Sequence, residues 1–125
     1  MIVGTGTDII EVGRIAEKIQ RQVEFRDYVF SSEEIAYCER MANRFEHYAA
    51  RFAAKEAFLK ALKTGWVSGT AFNEIQILAD EQGAPLMSFL GGTFKNLEKL
   101  QPFLVHVSLS HVKEFALAFV IIEKR

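Results

Sequence analysis

The sequence predicts a single α+β domain, a largely antiparallel sheet packed with helices, on three observations. The chain has 125 residues, about one domain's worth, with no linker, repeat or low-complexity tract to divide residues 1–125. Residues 72–89 and 103–123 alternate with the period of two that strands require, and each stretch is interrupted by a turn. Residues 11–23, 31–42 and 46–62 read instead as helices. Hydrophobic residues make up 50% and charged ones 25%, ordinary globular usage that excludes a disordered tail, a disulfide scaffold and a collagen-like chain.

Residues 2–10 form the first strand, in which Gly4 and Gly6 share a face with Asp8 and strip that face of side chains around a carboxylate. Something is expected to approach closely there. In the helix over 11–23, Val12, Ile15, Ala16, Ile19 and Val23 make the apolar face, and Arg14, Lys18 and Arg21 make a basic ridge opposite. Ser31 and Glu34 form a capping box that starts the second helix. The third runs over 46–62 and closes near Gly65, with Lys60 and Lys63 at its negative end. Residues 72–79 and 85–89 are a hairpin around 80–83, with Pro85 marking an edge, and Gly91-Gly92 opens a short helix through residue 100. Strands over 103–110 and 114–123 end the chain. The last is apolar on both faces, Phe115, Leu117, Phe119 and Ile121 on one and Ala116, Ala118, Val120 and Ile122 on the other. Its second cover is either an internal helix layer or another subunit.

Fifteen basic against sixteen acidic residues leave a net charge of −1, too little to hold nucleic acid or an anionic membrane at long range. Cys38 is the only cysteine, so neither an intrachain disulfide nor a cysteine metal cluster forms, and a reducing compartment fits. No stretch reaches the ~18 apolar residues of a spanning helix, and Met1-Ile2-Val3-Gly4 has no charged leader. A cytoplasmic protein is expected.

Glu56 is the sharpest anomaly. Tyr48, Phe52 and Leu59 define the stripe of its helix, and Glu56 falls inside that stripe, one turn before Lys60. It is either half of an i, i+4 pair with Lys60 or part of a site, since burying an unpaired charge is costly. Asp8 is either an N-terminal acid of the next helix or a second carboxylate of that site. Two carboxylates on rigid elements suit magnesium, which keeps water and substrate phosphate as its other ligands, and Lys60 would then touch a phosphate. His106 and His111 fall on opposite faces of one strand, so zinc is poorly supported, and Ser108-Leu109-Ser110-His111 lacks the elbow of a serine nucleophile. The ridge of Arg14, Lys18 and Arg21 is either a solvated face or a dock for an acidic protein. No aromatic residues interleave with it as a single-strand nucleic-acid platform requires.

Three segments together resemble the bacterial holo-acyl-carrier-protein synthases, of the 4'-phosphopantetheinyl transferase superfamily. These are Gly4-Thr5-Gly6-Thr7-Asp8-Ile9-Ile10-Glu11, Arg51-Phe52-Ala53-Ala54-Lys55-Glu56-Ala57-Phe58-Leu59-Lys60-Ala61 and Val107-Ser108-Leu109-Ser110-His111. The resemblance covers essentially the whole chain and implies that family's fold and its homotrimers with active sites between neighbours. It also implies transfer of phosphopantetheine from coenzyme A to a serine of acyl carrier protein, releasing adenosine 3',5'-bisphosphate. On that match Asp8 and Glu56 are the magnesium ligands and Lys60 contacts coenzyme A phosphate. His111 is associated with coenzyme A binding, with Arg51, Lys55 and Gly65 as further contacts, and Arg14, with Lys18 and Arg21 on its ridge, docks the carrier protein. Many relatives carry glycine where this chain has Lys63, and lysine between the glycine and proline of Gly83-Ala84-Pro85. The expected chemistry is in-line attack of the carrier serine on the β-phosphate, with Glu56 or a water it orients as general base. The competing reading is a non-enzymatic oligomeric module that binds an acidic protein or a nucleotide.

Overall fold

The computed structural model describes residues 1–63, 69–99 and 103–124. Its elements run β1 (Ile2–Glu11), α1 (Val12–Arg21), α2 (Val23–Val29), α3 (Ser32–Glu39), α4 (Arg44–Ala61), a 3-10 turn (Phe72–Glu74), β2 (Ile75–Ala79), β3 (Pro85–Phe89), α5 (Gly91–Glu98), β4 (Phe103–His111) and β5 (Phe115–Lys124). Strands order as β1-β5-β4 in one antiparallel sheet and as β2-β3 in a separate hairpin. The expected α+β architecture is therefore present.

Helix α4 is the centre of the molecule. Its alanines meet Ala118, Val120 and Ile122 of the sheet on one side and Ile75, Ile77 and Met87 of the hairpin on the other. A second cluster joins Tyr48, Ala49 and Ala50 to Val12 and Ile15 of α1, to Val29, Phe30 and Cys38, and to Ala116. Six alanines along α4 explain this position, because an axis can approach its neighbours closely only where the intervening side chains are small.

The glycines of β1 complete the approach. A Cβ at Gly4 would lie 1.8 Å from the Ala61 carbonyl oxygen, and one at Gly6 would lie 1.9 Å from that of Ala57. What comes close to the bare face is thus the chain's own helix. Four helical residues rise about 6 Å and two strand residues about 6.6 Å, so the elements stay in step along their antiparallel crossing. Gly6→Ala is expected to cost about 1–3 kcal/mol or more, because a backbone oxygen cannot rotate away as a side chain does. Gly13→Ala, with nothing within 4 Å of its new methyl, should instead stabilise α1 by about 0.5–1 kcal/mol. Urea unfolding of both variants checks the contrast, and equal midpoints would refute the close-approach argument.

Several expectations need correction. Helix α1 stops at Arg21, and Val23 begins α2, which periodicity did not reveal because it spans only Val23–Val29. Residues 72–74 are a 3-10 turn, so the strand starts at Ile75. The two-faced apolar strand has α4 over Ala116, Ala118, Val120 and Ile122, while Phe115, Leu117 and Phe119 are 47%, 39% and 40% exposed. Lys63 adopts φ 66°, the left-handed conformation that glycine takes without strain.

Candidate active site

The register of β1 against α4 carries Asp8 one step beyond Gly6 and places it beside the helix flank that bears Glu56 and Lys60. Lys60 Nζ lies 3.1 Å from Asp8 Oδ1 and donates to the Thr7 carbonyl at 2.9 Å. The simple i, i+4 pair is therefore absent, since the lysine serves β1 and Glu56 has no hydrogen bond or ion pair among the described residues. Burial and then the Asp8 carboxylate push the Glu56 pKa upward, and only Lys60 opposes them.

The stripe argument that singled out Glu56 is reversed in detail. Beyond its first turn most of α4 is buried, and Phe52, Glu56 and Lys60 form the i, i+4 line that is not. Glu56 is anomalous for a different reason. It is a half-buried carboxylate beside another carboxylate, with no donor of its own among the described residues.

The remaining predicted contacts lie elsewhere. Arg51 is five residues from Glu56, about 140° around the helix, and β4 lies across β5 from β1. On that far flank Tyr37, His47, Arg51, Gly83, Pro85 and His111 line a cavity of about 180 Å³. Arg51 stacks 4.3 Å over the Tyr37 ring and donates through Nε to the Ile77 carbonyl at 2.9 Å. Burial, followed by Arg51 and His111, pushes the His47 pKa down, so this imidazole is neutral at pH 7. His111 Nδ1 is 2.8 Å from Glu46 Oε1, so it is tied rather than free at its strand end. His106 faces the other way, exposed, with Nε2 2.9 Å from Glu123 Oε1.

Lys55 does not reach a ligand surface. It is fully buried, with Nζ 2.7 Å from Glu34 Oε1 and donating to the carbonyls of Phe72 and Ile75. Burial drives its pKa down and the Glu34 carboxylate opposes this. Glu34 also completes the capping box, accepting from Ser31 N at 3.0 Å, and accepts from Ile77 N at 2.9 Å. The sequence flagged Glu34 only as a cap. Nothing in it signalled that the same carboxylate ties α3, α4 and β2 together. Gly65 lies outside the described residues.

Arg14, Lys18 and Arg21 line one open depression with Glu17 and Gln22. Arg21 pairs with Glu17 at 3.2 Å, and Lys18 lies 5.5 Å over the Phe25 ring, an aromatic neighbour supplied by α2.

A profile of the 4'-phosphopantetheinyl transferase superfamily matches residues 4–120. The chain belongs to this superfamily. It is 42% identical over 124 residues to the holo-[acyl-carrier-protein] synthase of Koribacter versatilis, covering 98% of this chain and 99% of the relative. The crystal structure of the Neisseria meningitidis synthase superposes with a TM-score of 0.89 at 34% identity, covering 99% of this chain and all of that one. The Bacillus anthracis synthase, solved in complex with "CoA (3',5'-ADP)", superposes with a TM-score of 0.83 at 34% identity over 100% and 99% of the two chains. The superfamily member described here is an enzyme, a phosphopantetheinyl transferase, and its fold is that of the holo-[acyl-carrier-protein] synthases. No helix among the described residues is long and apolar enough to cross a membrane.

Proposed function

We propose that this transferase moves 4'-phosphopantetheine from coenzyme A to a serine of apo acyl carrier protein in a magnesium-dependent reaction, in support of fatty acid biosynthesis in the cytoplasm. The observation that carries the reading is Glu56, a half-buried carboxylate without a donor among the described residues, its pKa raised by burial and by Asp8, and with Lys60 alongside. Repelling carboxylates with a single nearby ammonium are short of positive charge. A donor set of two acidic oxygens fits magnesium, which completes its shell with water and phosphate, and no group of three or more His, Cys, Asp or Glu that suits a fully protein-held metal exists among the described residues. Asp8 and Glu56 would hold the ion, and its contribution would be to neutralise the diphosphate.

The serine hydroxyl attacks the β-phosphorus in line. The new P–O bond forms as the bond to the bridging oxygen breaks, and adenosine 3',5'-bisphosphate leaves with the bonding electrons. Glu56, or a water it orients, would take the serine proton as general base. Lys60, held by its bonds to β1, would balance charge on the leaving phosphate.

Coenzyme A also needs Arg51 and His111, which lie on the opposite flank of α4 from Glu56. Two flanks of one helix serve one ligand when neighbouring copies each supply one of them. The apolar outer face of β5, with Ile9 of β1 62% exposed beside it, supports that assembly as a homotrimer.

Mass spectrometry of apo acyl carrier protein incubated with this chain and coenzyme A tests the reading. One added phosphopantetheine, about 340 Da, should appear with magnesium and vanish with chelator. No gain with several carriers from a folded sample would remove it. Carrier docking on the α1 ridge is separable: Arg14→Glu with Arg21→Glu should raise the carrier KM about tenfold at low salt and flatten its salt dependence, while the coenzyme A KM holds. Unchanged carrier kinetics would exclude the ridge.

A further inference from the structure

The cavity on the β4 flank contains a contact that the transfer chemistry above does not use. His111 and Glu46 meet at 2.8 Å although they are 65 residues apart, with side chains only 27% and 20% exposed. A carboxylate oxygen accepts, so His111 Nδ1 carries the proton and donates it. The other ring nitrogen, Nε2, has no hydrogen-bond partner among the described residues. His47 packs edge-on against the same ring, centroids 5.0 Å apart and planes at 61°. The imidazole is therefore held from two sides, by a polar contact at Nδ1 and an aromatic edge. Among the described residues no carboxylate lines the cavity itself, whereas Arg51 does, so this lining favours an anion. Glu46 stands behind His111 rather than in the ligand's path.

We propose that Glu46 is a positioning residue, which acts through His111 by fixing the ring so that Nε2 is presented to a phosphate of the coenzyme A nucleotide. The assignment rests on the transferase reading above. Glu46 holds the ring at Nδ1 from the side away from the ligand, the division of labour found where a carboxylate orients a working histidine. Glu46 belongs to the first turn of α4, the helix that also carries Arg51 and Glu56, so the position of the ring is referred to the same rigid element as the rest of the machinery.

Calorimetric titration with adenosine 3',5'-bisphosphate, alongside transfer kinetics, tests this on Glu46→Ala, Glu46→Gln, His111→Ala and the Glu46→Ala/His111→Ala double variant. Glu46→Ala should weaken nucleotide binding and raise the coenzyme A KM about tenfold, with kcat at saturation within about twofold. Glu46→Gln, whose amide oxygen still accepts from Nδ1 but carries no charge, should recover part of the loss. The double variant should bind no more weakly than His111→Ala alone, because Glu46 works only through that ring. Losses that add in the double variant, or full affinity and normal KM in Glu46→Gln together with Glu46→Ala, would overturn the assignment. Should Glu46→Ala fail to fold, Glu46→Gln with wild-type affinity and KM overturns it alone. A wild-type chain that neither transfers nor binds the nucleotide would instead remove the transferase reading, and this assignment with it.

Discussion

Glu56→Gln should lower kcat for phosphopantetheine transfer by about 10²- to 10⁴-fold, the range associated with losing a positioned acid or base. Asp8→Asn should act in the same direction. Neither change should unfold the protein. Glu56 has no bond to lose among the described residues, and both burial and Asp8 work against its charge. The sign of its pH effect follows. With its folded pKa raised above the unfolded value, the native state binds more protons in the window just above the ordinary glutamate range, so metal-free stability falls as pH rises through that window. In Glu56→Gln this decline should disappear, and the variant should melt at or slightly above wild type at pH 7 in chelator. Added magnesium should raise the wild-type melting temperature by preferential binding to the folded state, and should do so little or not at all in Glu56→Gln. A fully active Glu56→Gln, or one that melts well below wild type in chelator, would contradict the site described here.

Lys55→Met is the complementary experiment, with its effect on the fold. The substitution leaves a buried Glu34 carboxylate uncompensated and takes a donor from the carbonyls of Phe72 and Ile75. Breaking a buried pair from one side costs about 3–5 kcal/mol, a large share of the roughly 5–15 kcal/mol that holds a domain together. The unfolding midpoint in urea should collapse accordingly. Lys55→Met with Glu34→Gln should recover part of the loss, because the glutamine oxygen still accepts from Ser31 and Ile77 while the stranded charge is gone. Had Lys55 been a coenzyme A contact, as its place in the Arg51 to Ala61 segment implied, the variant would be stable and its coenzyme A KM would rise. That result would refute the buried staple.

The sequence made most of the elements legible because their signals are local. The Ser31 and Glu34 capping box forms as expected, with Glu34 N donating to Ser31 Oγ at 3.2 Å. The 85–89 strand has the predicted bounds, and Asp80 closes its turn by accepting from Gln82 and Ala84, each at 2.9 Å. Asp8, Glu56 and Lys60 were chosen by type and spacing, and the structure brings them to one flank. The short helix α2 went unseen because seven residues hold too few turns to show a period. The stripe on α4 was misassigned because periodicity assumes a helix with one wet and one dry face, and α4 is enclosed on most sides.

By itself the sequence determined the α+β class, the order of the strands and of every helix but α2, the bare face of β1 and the choice of two carboxylates and a lysine as candidates. Each of these is written in near-neighbour patterns of size, polarity and turn chemistry, which operate over one or two turns of chain. Only the tertiary structure decided that Lys55 and Glu34 are spent on the interior, that Glu46 stands behind His111, and that Arg51 and Glu56 face opposite ways from one helix. These pairings join residues 21 and 65 positions apart, or depend on how a helix is rolled within its surroundings. Such choices are made by the packing of alanines against glycines and by the need of buried charges for partners, and those partners are supplied by whichever distant element the fold delivers.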